Sequence, residues 1–178
     1  MIDLPQPVSA HPALGAVKLL CCDVDGVLTD GGLYFDKDGL SMLRFHVQDG
    51  IGLKLLMRAG IRTCFISQSE NQVIRTRAAA LGIDDCFTGV ENKLHPITEL
   101  ASGLGLRMEE VCHIADDIND LTLLEAVGVP VTVPGGVAAV KHVCRFVTRA
   151  PGGAGAVREL CEAILSARSA GMGIPVGA

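Results

Sequence analysis

Three short apolar runs in this chain stop abruptly at a polar residue: 17–22 before Asp23, 63–66 before Ser67 and 111–115 before Asp116. Runs of that length, bounded so sharply, fit strands buried on both faces of a parallel sheet. Stretches with helical apolar spacing lie between them. Residues 51–59 stop at Gly60, residues 70–81 stop at Gly82, and 94–104 carry Pro96 in the first turn, where proline is tolerated. The pattern continues with a short strand at 86–88, a helix over 119–126, a strand at 129–133, a short helix at 137–142, a short strand within 143–148 and a last helix over about 155–168. Strands alternating with helices require a parallel sheet covered on both faces. The expected fold is therefore α/β, a Rossmann-like three-layer αβα sandwich with a central parallel sheet. In such a sheet ligands sit beyond the C-terminal ends of the strands, so Asp23, Ser67 and Asp116 are expected at one rim.

One stretch breaks the alternation. Residues 29–47 hold two strand-like runs around Asp36-Lys37-Asp38-Gly39, and Asp-Gly is a hairpin signal. A β-hairpin is expected to protrude there, between the first strand and the first helix. With 178 residues and no internal repeat, one domain suffices. Its expected limits are 17–168, preceded by a loose leader at 1–16 and followed by a mobile Gly- and Pro-containing tail at 169–178.

The balance of charge excludes some partners. A net charge of −5 with no dense Lys/Arg run speaks against nucleic-acid binding. No apolar run approaches the ~20 residues of a membrane span. Residues 1–17 carry three prolines and lack the charged and apolar regions of a signal peptide. Seven cysteines, an odd number with no C-x-x-C spacing, read as reduced buried thiols in a cytoplasmic protein.

The chemistry is carried by carboxylates. Asp23 and Asp25 stand two residues apart at a strand end, so both can reach one pocket once the chain leaves strand geometry. A carboxylate nucleophile that meets an anionic phosphate needs its charge cancelled, and a hard divalent cation with oxygen ligands does this. Asp116-Asp117-x-x-Asp120 offers more oxygen atoms at the third strand end. Ser67 offers a hydroxyl to a phosphoryl oxygen, and Lys93 a fixed positive charge. Plainer roles stand beside these. Asp23 and Asp25 could cap the following segment, Ser67 could cap a helix, and Lys93 could be a surface lysine. His113, on an apolar strand, reads as a satisfied core residue.

In order, the signatures are Asp-x-Asp-Gly-x-Leu-Thr-Asp at 23–30, Ser67, Lys93 and Asp-Asp-x-x-Asp at 116–120. Together they resemble the haloacid dehalogenase superfamily. CDVDGVLTDGGLYF (22–35), FHVQDGIGLKLL (45–56), the stretch from Arg77 to Gly82 and PGGAGAVRELCEAIL (151–165) narrow the resemblance. They point to its cap-less subfamily of 3-deoxy-D-manno-octulosonate 8-phosphate phosphatases and nonulosonate 9-phosphate phosphatases. The resemblance implies that Asp23 attacks phosphorus and that Asp25 protonates the leaving oxygen, then activates water. It implies Mg2+, or Mn2+, held by the Asp23 carboxylate, the Asp25 main-chain carbonyl and Asp116, with Asp117 and Asp120 in support. It further implies a small phosphorylated sugar-acid substrate touching His46, Val47, Gln48, Asp49, Gly50, Lys54 and Arg77. It also implies a homotetramer in which a neighbour's hairpin and C-terminal tail help close each site. The sequence departs from the subfamily at several points. Ser69 stands where Thr-Gly-Arg would place arginine, His46, Gln48 and Lys54 replace Asn, Arg and Arg, and Ala115 replaces glycine. Arginine and serine are not interchangeable at an anion site. Two alternatives follow: a phosphatase for another small phosphorylated metabolite, or a non-catalytic scaffold for a sugar-acid cytidylyltransferase.

Overall fold

The computed structural model describes residues 5–9 and 11–171. Its strands are β1 Gln6–Pro7, β2 Leu19–Cys22, β3 Tyr34–Asp36, β4 Gly39–Met42, β5 Arg62–Ile66, β6 Asp85–Phe87, β7 Val111–Ala115, β8 Val129–Thr132 and β9 Phe146–Val147. Its helices are α1 Pro12–Gly15, α2 Val47–Arg58, α3 Gln72–Leu81, α4 Leu94–Gly103, α5 Leu121–Ala126, α6 Ala138–Val143 and α7 Ala156–Gly171. Seven strands form one parallel sheet in the order β1-β9-β8-β7-β2-β5-β6. The three strands that end in Asp23, Ser67 and Asp116 are thus adjacent, with β2 in the middle.

Side-chain alternation along the strands divides the core into two layers. Leu20, Cys22 and Phe65 face one side and pack with Leu14 of α1, Leu53 and Leu56 of α2, Ile74 of α3 and Leu160 and Ile164 of α7. Leu19, Cys21, Cys64 and Ile66 face the other and pack with Ile97 and Ala101 of α4 and Leu123 of α5. Val140 of α6 joins Leu124 and Ala115 in a third cluster. The result is the expected αβα sandwich, without a cap domain among the described residues. All seven cysteines are free, six of them buried, and burial pushes the thiols of Cys21, Cys22, Cys112, Cys144 and Cys161 upward.

The hairpin forms where the Asp-Gly signal places it. β3 and β4 pair antiparallel, Gly39 takes a φ of 124° that suits glycine, and a bridge between Thr29 and Phe45 closes the base. α2 starts at Val47, four residues before the apolar spacing begins, because the one large apolar side chain of its first turn, Val47, faces solvent and adds nothing to the buried stripe.

The leader differs from expectation. Residues 5–9 and 11–16 are not loose. Gln6 N and Val8 N donate to Arg145 O and Val147 O at 2.9 and 2.8 Å, and Val8 and Leu14 are buried. Two apolar side chains among prolines give no periodicity, so the sequence could not show this packing. At the other end α7 extends to Gly171, so residues 169–171 are helical. Residues 172–178 of the expected tail, and 1–4 and 10 of the leader, lie outside the described residues.

Candidate active site

A cavity of about 940 Å3 opens beyond the C-terminal ends of β2, β5 and β7, and Asp23, Asp25, Ser67, Ser69, Asp116 and Asp117 line it. A larger one of about 1290 Å3 lies at the opposite end of the sheet, beside Lys18, Arg62 and Glu110, and holds none of these acids.

Asp23 is fixed by its backbone. Its N–H donates to Ile114 O at 3.0 Å, which extends the β2–β7 ladder by one residue. The chain then turns, and Val24 O accepts from Leu28 N and Thr29 N at 3.0 Å each. Buried Thr29 Oγ1 accepts from Gly26 N and Gly31 N, both at 3.2 Å, and closes the loop. Gly26 has a φ of 77°, and a Cβ there would lie 2.0 Å from Asp116 Oδ2. The glycine therefore leaves room for the Asp116 carboxylate beside the loop that follows Asp23. A second glycine pair seals the same loop from outside. A Cβ on Gly152 would meet Gly26 O at 1.8 Å, and Gly153 N donates to Val27 O at 3.0 Å. Thr29, Gly152 and Gly153 were not singled out as site residues from the sequence. Their close backbone approach leaves only the Gly-Gly pair as a signal.

Asp25 Oδ2 accepts from Ser67 Oγ at 3.3 Å, while Oδ1 is buried without a partner among the described residues. A carboxylate oxygen left without a partner, on a residue that lines a cavity, suits a proton exchanged with a bound ligand. Ser67 is 1% exposed at the end of β5, and its Oγ also accepts from Ser69 N at 3.0 Å. It does not cap α3; Asn71 does, accepting from Val73 N at 2.8 Å.

Lys93 is 0% exposed and is no surface lysine. Its Nζ lies 2.7 Å from Asp23 Oδ1 and 2.8 Å from each oxygen of Asp120. Burial alone lowers its affinity for a proton, but the charges and hydrogen bonds of Asp23 and Asp120 outweigh that and hold it above the usual lysine range. Burial, aided by Asp120, pushes Asp23 up against the opposing pull of Lys93. Burial, then Asp117 and Asp120, push Asp116 up to about 6. Asp120 starts from the same penalty of burial, yet bonds and charges from His113 and Lys93 bring it below the ordinary range. So Asp120 supports the lysine. Asp117 caps the turn Ile118–Asp120, accepting from Ile118 N at 2.7 Å.

These groups fit a hard divalent cation. The Asp23 and Asp116 carboxylates and the Asp25 carbonyl are all oxygen donors, and a cation against Asp23 and Asp116 would reverse the upward push on both. No cluster of three or more His, Cys, Asp or Glu side chains suited to a metal occurs among the described residues. A site with two carboxylates and a carbonyl needs none, since Mg2+ keeps several waters.

The residues expected to touch substrate are not brought to this cavity within one chain. Buried Asp49 Oδ1 accepts from Arg158 N at 2.8 Å and so anchors the start of α7. His46 Nδ1 faces Asp49 Oδ2 at 4.0 Å, and Arg77 lies over Phe45 with Nη2 3.4 Å from His46 O. Gly50 makes room for Arg77: a Cβ there would lie 2.5 Å from its Nη2. Val47, Gln48 and Lys54 are exposed on α2.

A family model described as haloacid dehalogenase-like hydrolase matches residues 67–160. The 3-deoxy-D-manno-octulosonate 8-phosphate phosphatase of Salmonella typhi is 35% identical over 157 residues, covering 78% of this chain and 84% of that one. The crystal structure of the Moraxella catarrhalis enzyme of that name, in complex with magnesium ion, phosphate ion and KDO, is 34% identical. It superposes with a TM-score of 0.86 over 92% of this chain and 96% of that one. The cobalt-bound Haemophilus influenzae phosphatase is 37% identical, with a TM-score of 0.85 over 88% of this chain and 92% of that one.

Proposed function

This chain belongs to the haloacid dehalogenase-like hydrolases and is a phosphatase, and on that premise we propose that it hydrolyses a phosphorylated 3-deoxy-2-keto sugar acid with Asp23 as nucleophile. KDO 8-phosphate is the first substrate of this reading and a nonulosonate 9-phosphate the second. The single observation that carries it is the gathering of Asp23, Asp25, Ser67 and Asp116 on one cavity, with Lys93 bonded to Asp23 behind it. The same complete set of acids speaks against a non-catalytic scaffold.

A carboxylate oxygen of Asp23 attacks phosphorus, and the bond from phosphorus to the sugar oxygen breaks. Asp25 gives that oxygen its proton. Asp25 then takes a proton from water, which attacks the aspartyl-phosphate and releases inorganic phosphate and free Asp23. Ser67 donates to a phosphoryl oxygen. Mg2+ held by Asp23, the Asp25 carbonyl and Asp116 would supply charge cancellation for the phosphoryl group.

Among the described residues the cavity lining contains no arginine or lysine, and Ser69 lies where the resemblance places arginine. That observation favours a second reading, a phosphatase for a small phosphorylated metabolite without a carboxylate. A panel of keto-sugar acid phosphates and simple sugar phosphates, ranked by kcat/KM, decides between them. Equal values across the panel would remove the sugar-acid assignment.

We place the enzyme in the cytoplasm as a homotetramer. Leu33, Phe35 and Met42 on the hairpin and Val47 and Ile51 on α2 are exposed, and such apolar surface fits contact with other copies. A neighbour's surface would then bring hairpin or α2 residues, among them His46, Gln48 and Lys54, to the open cavity. Sedimentation at assay concentration reads the assembly, and a monomer would refute it.

Metal binding should depend on pH in a defined direction. The fold favours Asp116 protonated, so its contribution to stability is fully present below the unfolded value of 3.8 and is lost as pH rises through about 6. Mg2+ needs the ionised form and offsets that loss. Added Mg2+ is expected to raise Tm clearly at about pH 7.5 and far less at about pH 5. Equal shifts at both, in a differential scanning fluorimetry titration, would exclude Asp116 as a ligand.

A further inference from the structure

The charged cluster behind the nucleophile does not end at Asp120. His113, in the middle of β7, is fully buried, and its register partner on β2 is Cys21. The imidazole Nδ1 lies 3.2 Å from Cys21 O, and Nε2 lies 2.7 Å from Asp120 Oδ1. A carbonyl oxygen only accepts, so Nδ1 must carry a hydrogen. The short contact to Asp120 holds another. The ring therefore ties the backbone of β2, two residues before Asp23, to the carboxylate that holds Lys93.

Resting on the reading that Asp23 is the nucleophile, we propose that His113 is a positioning residue for it. By bonding the Cys21 carbonyl on one side and Asp120 on the other, it fixes the carboxylate that aims Lys93 at Asp23.

The need for it follows from the charges. One ammonium serves two buried carboxylates, 2.7 Å from Asp23 and 2.8 Å from both oxygens of Asp120. With only Lys93 to satisfy it, Asp120 would compete for the ammonium and draw it away from Asp23. A second donor on Asp120 Oδ1 relieves that competition and stops the carboxylate from rotating. An apolar ring would fill the same space without doing either.

Three substitutions separate positioning from packing. Glutamine places its amide nitrogen near the ring Nε2 and keeps a donor for Asp120. Asparagine places its nitrogen near Nδ1 and serves only Cys21 O. Phenylalanine keeps bulk alone. His113→Gln is expected to stay within about threefold of the parent kcat, whereas His113→Asn and His113→Phe lose about 10- to 100-fold with KM changed less than about twofold. Equal kcat for the glutamine and asparagine variants, or parent-like kcat in all three, overturns the proposal. If no variant folds, nitrogen-15 NMR of the parent protein decides: Nδ1 must carry hydrogen, and the Nε2–Asp120 bond must show a downfield proton that Asp120→Asn removes. Absence of either also overturns it. Full turnover by Asp23→Asn would refute the nucleophile assignment instead, whatever the His113 series shows.

Discussion

Replacing Asp23 with asparagine is expected to abolish phosphate release, lowering kcat by roughly 10³-fold or more, while the protein stays folded. The amide cannot form the covalent bond to phosphorus, and no neighbouring carboxylate takes its place. In this mechanism Asp25 carries the proton transfers and Asp116 the metal, and Asp120 lies behind Lys93 with both oxygens occupied. The fold should tolerate the change because Lys93 keeps its two contacts to Asp120, so no cation is left bare. The burial that pushes the Asp23 carboxyl upward also bears less heavily on a neutral amide. Inorganic phosphate release and thermal melting, measured on the same sample, check both halves. A variant with more than about a tenth of parental turnover would exclude covalent catalysis by Asp23.

Removing the lysine should have the opposite balance, with stability suffering as much as turnover. Lys93→Met leaves Asp23 and Asp120 buried without the ammonium that both touch, their side chains only 6% and 0% exposed. Breaking a buried pair in this way costs about 3–5 kcal/mol. For a domain of this size the loss corresponds to a fall in Tm of about 6–20 °C. His113 still serves Asp120, so Asp23 carries most of the strain. Without the cation the carboxylates are pushed further up, and the folded state gains affinity for protons. The deficit should therefore shrink at low pH and widen as pH rises through the acidic range. Melting curves of parent and variant across that range give the sign directly. A pH-independent deficit, or none, would show that Lys93 does not neutralise the pair.

Much of this arrangement could be read from residue order alone, and the limits have physical causes. The sheet was legible because each central strand is a short, mainly apolar run with a polar stop. Parallel topology then obliges Asp23, Ser67 and Asp116 to share a rim. The hairpin was legible from one Asp-Gly step. His113 read as a core residue, and it is one. Its tie to Asp120 needs a strand and a turn seven residues apart in sequence to fold face to face, which no periodicity encodes. The role of Asp49 in the fold was hidden for a related reason. The resemblance implies a substrate contact for it, and within one chain its carboxylate serves the backbone of α7 from 109 residues away, a pairing that no local pattern encodes. The contacts implied for Val47, Gln48 and Lys54 concern a surface that a single chain leaves facing solvent.

The two-residue strand β1 has a consequence for how this sheet avoids unwanted company. An uncovered strand is a template onto which another chain can add. β9 would be such a margin, since its far side meets nothing else in the sheet order. Gln6 and Pro7 cover it, and a proline at that margin offers no N–H to an incoming backbone. The short N-terminal segment thus works as a selvage, finishing the weave so that it does not join to the next piece.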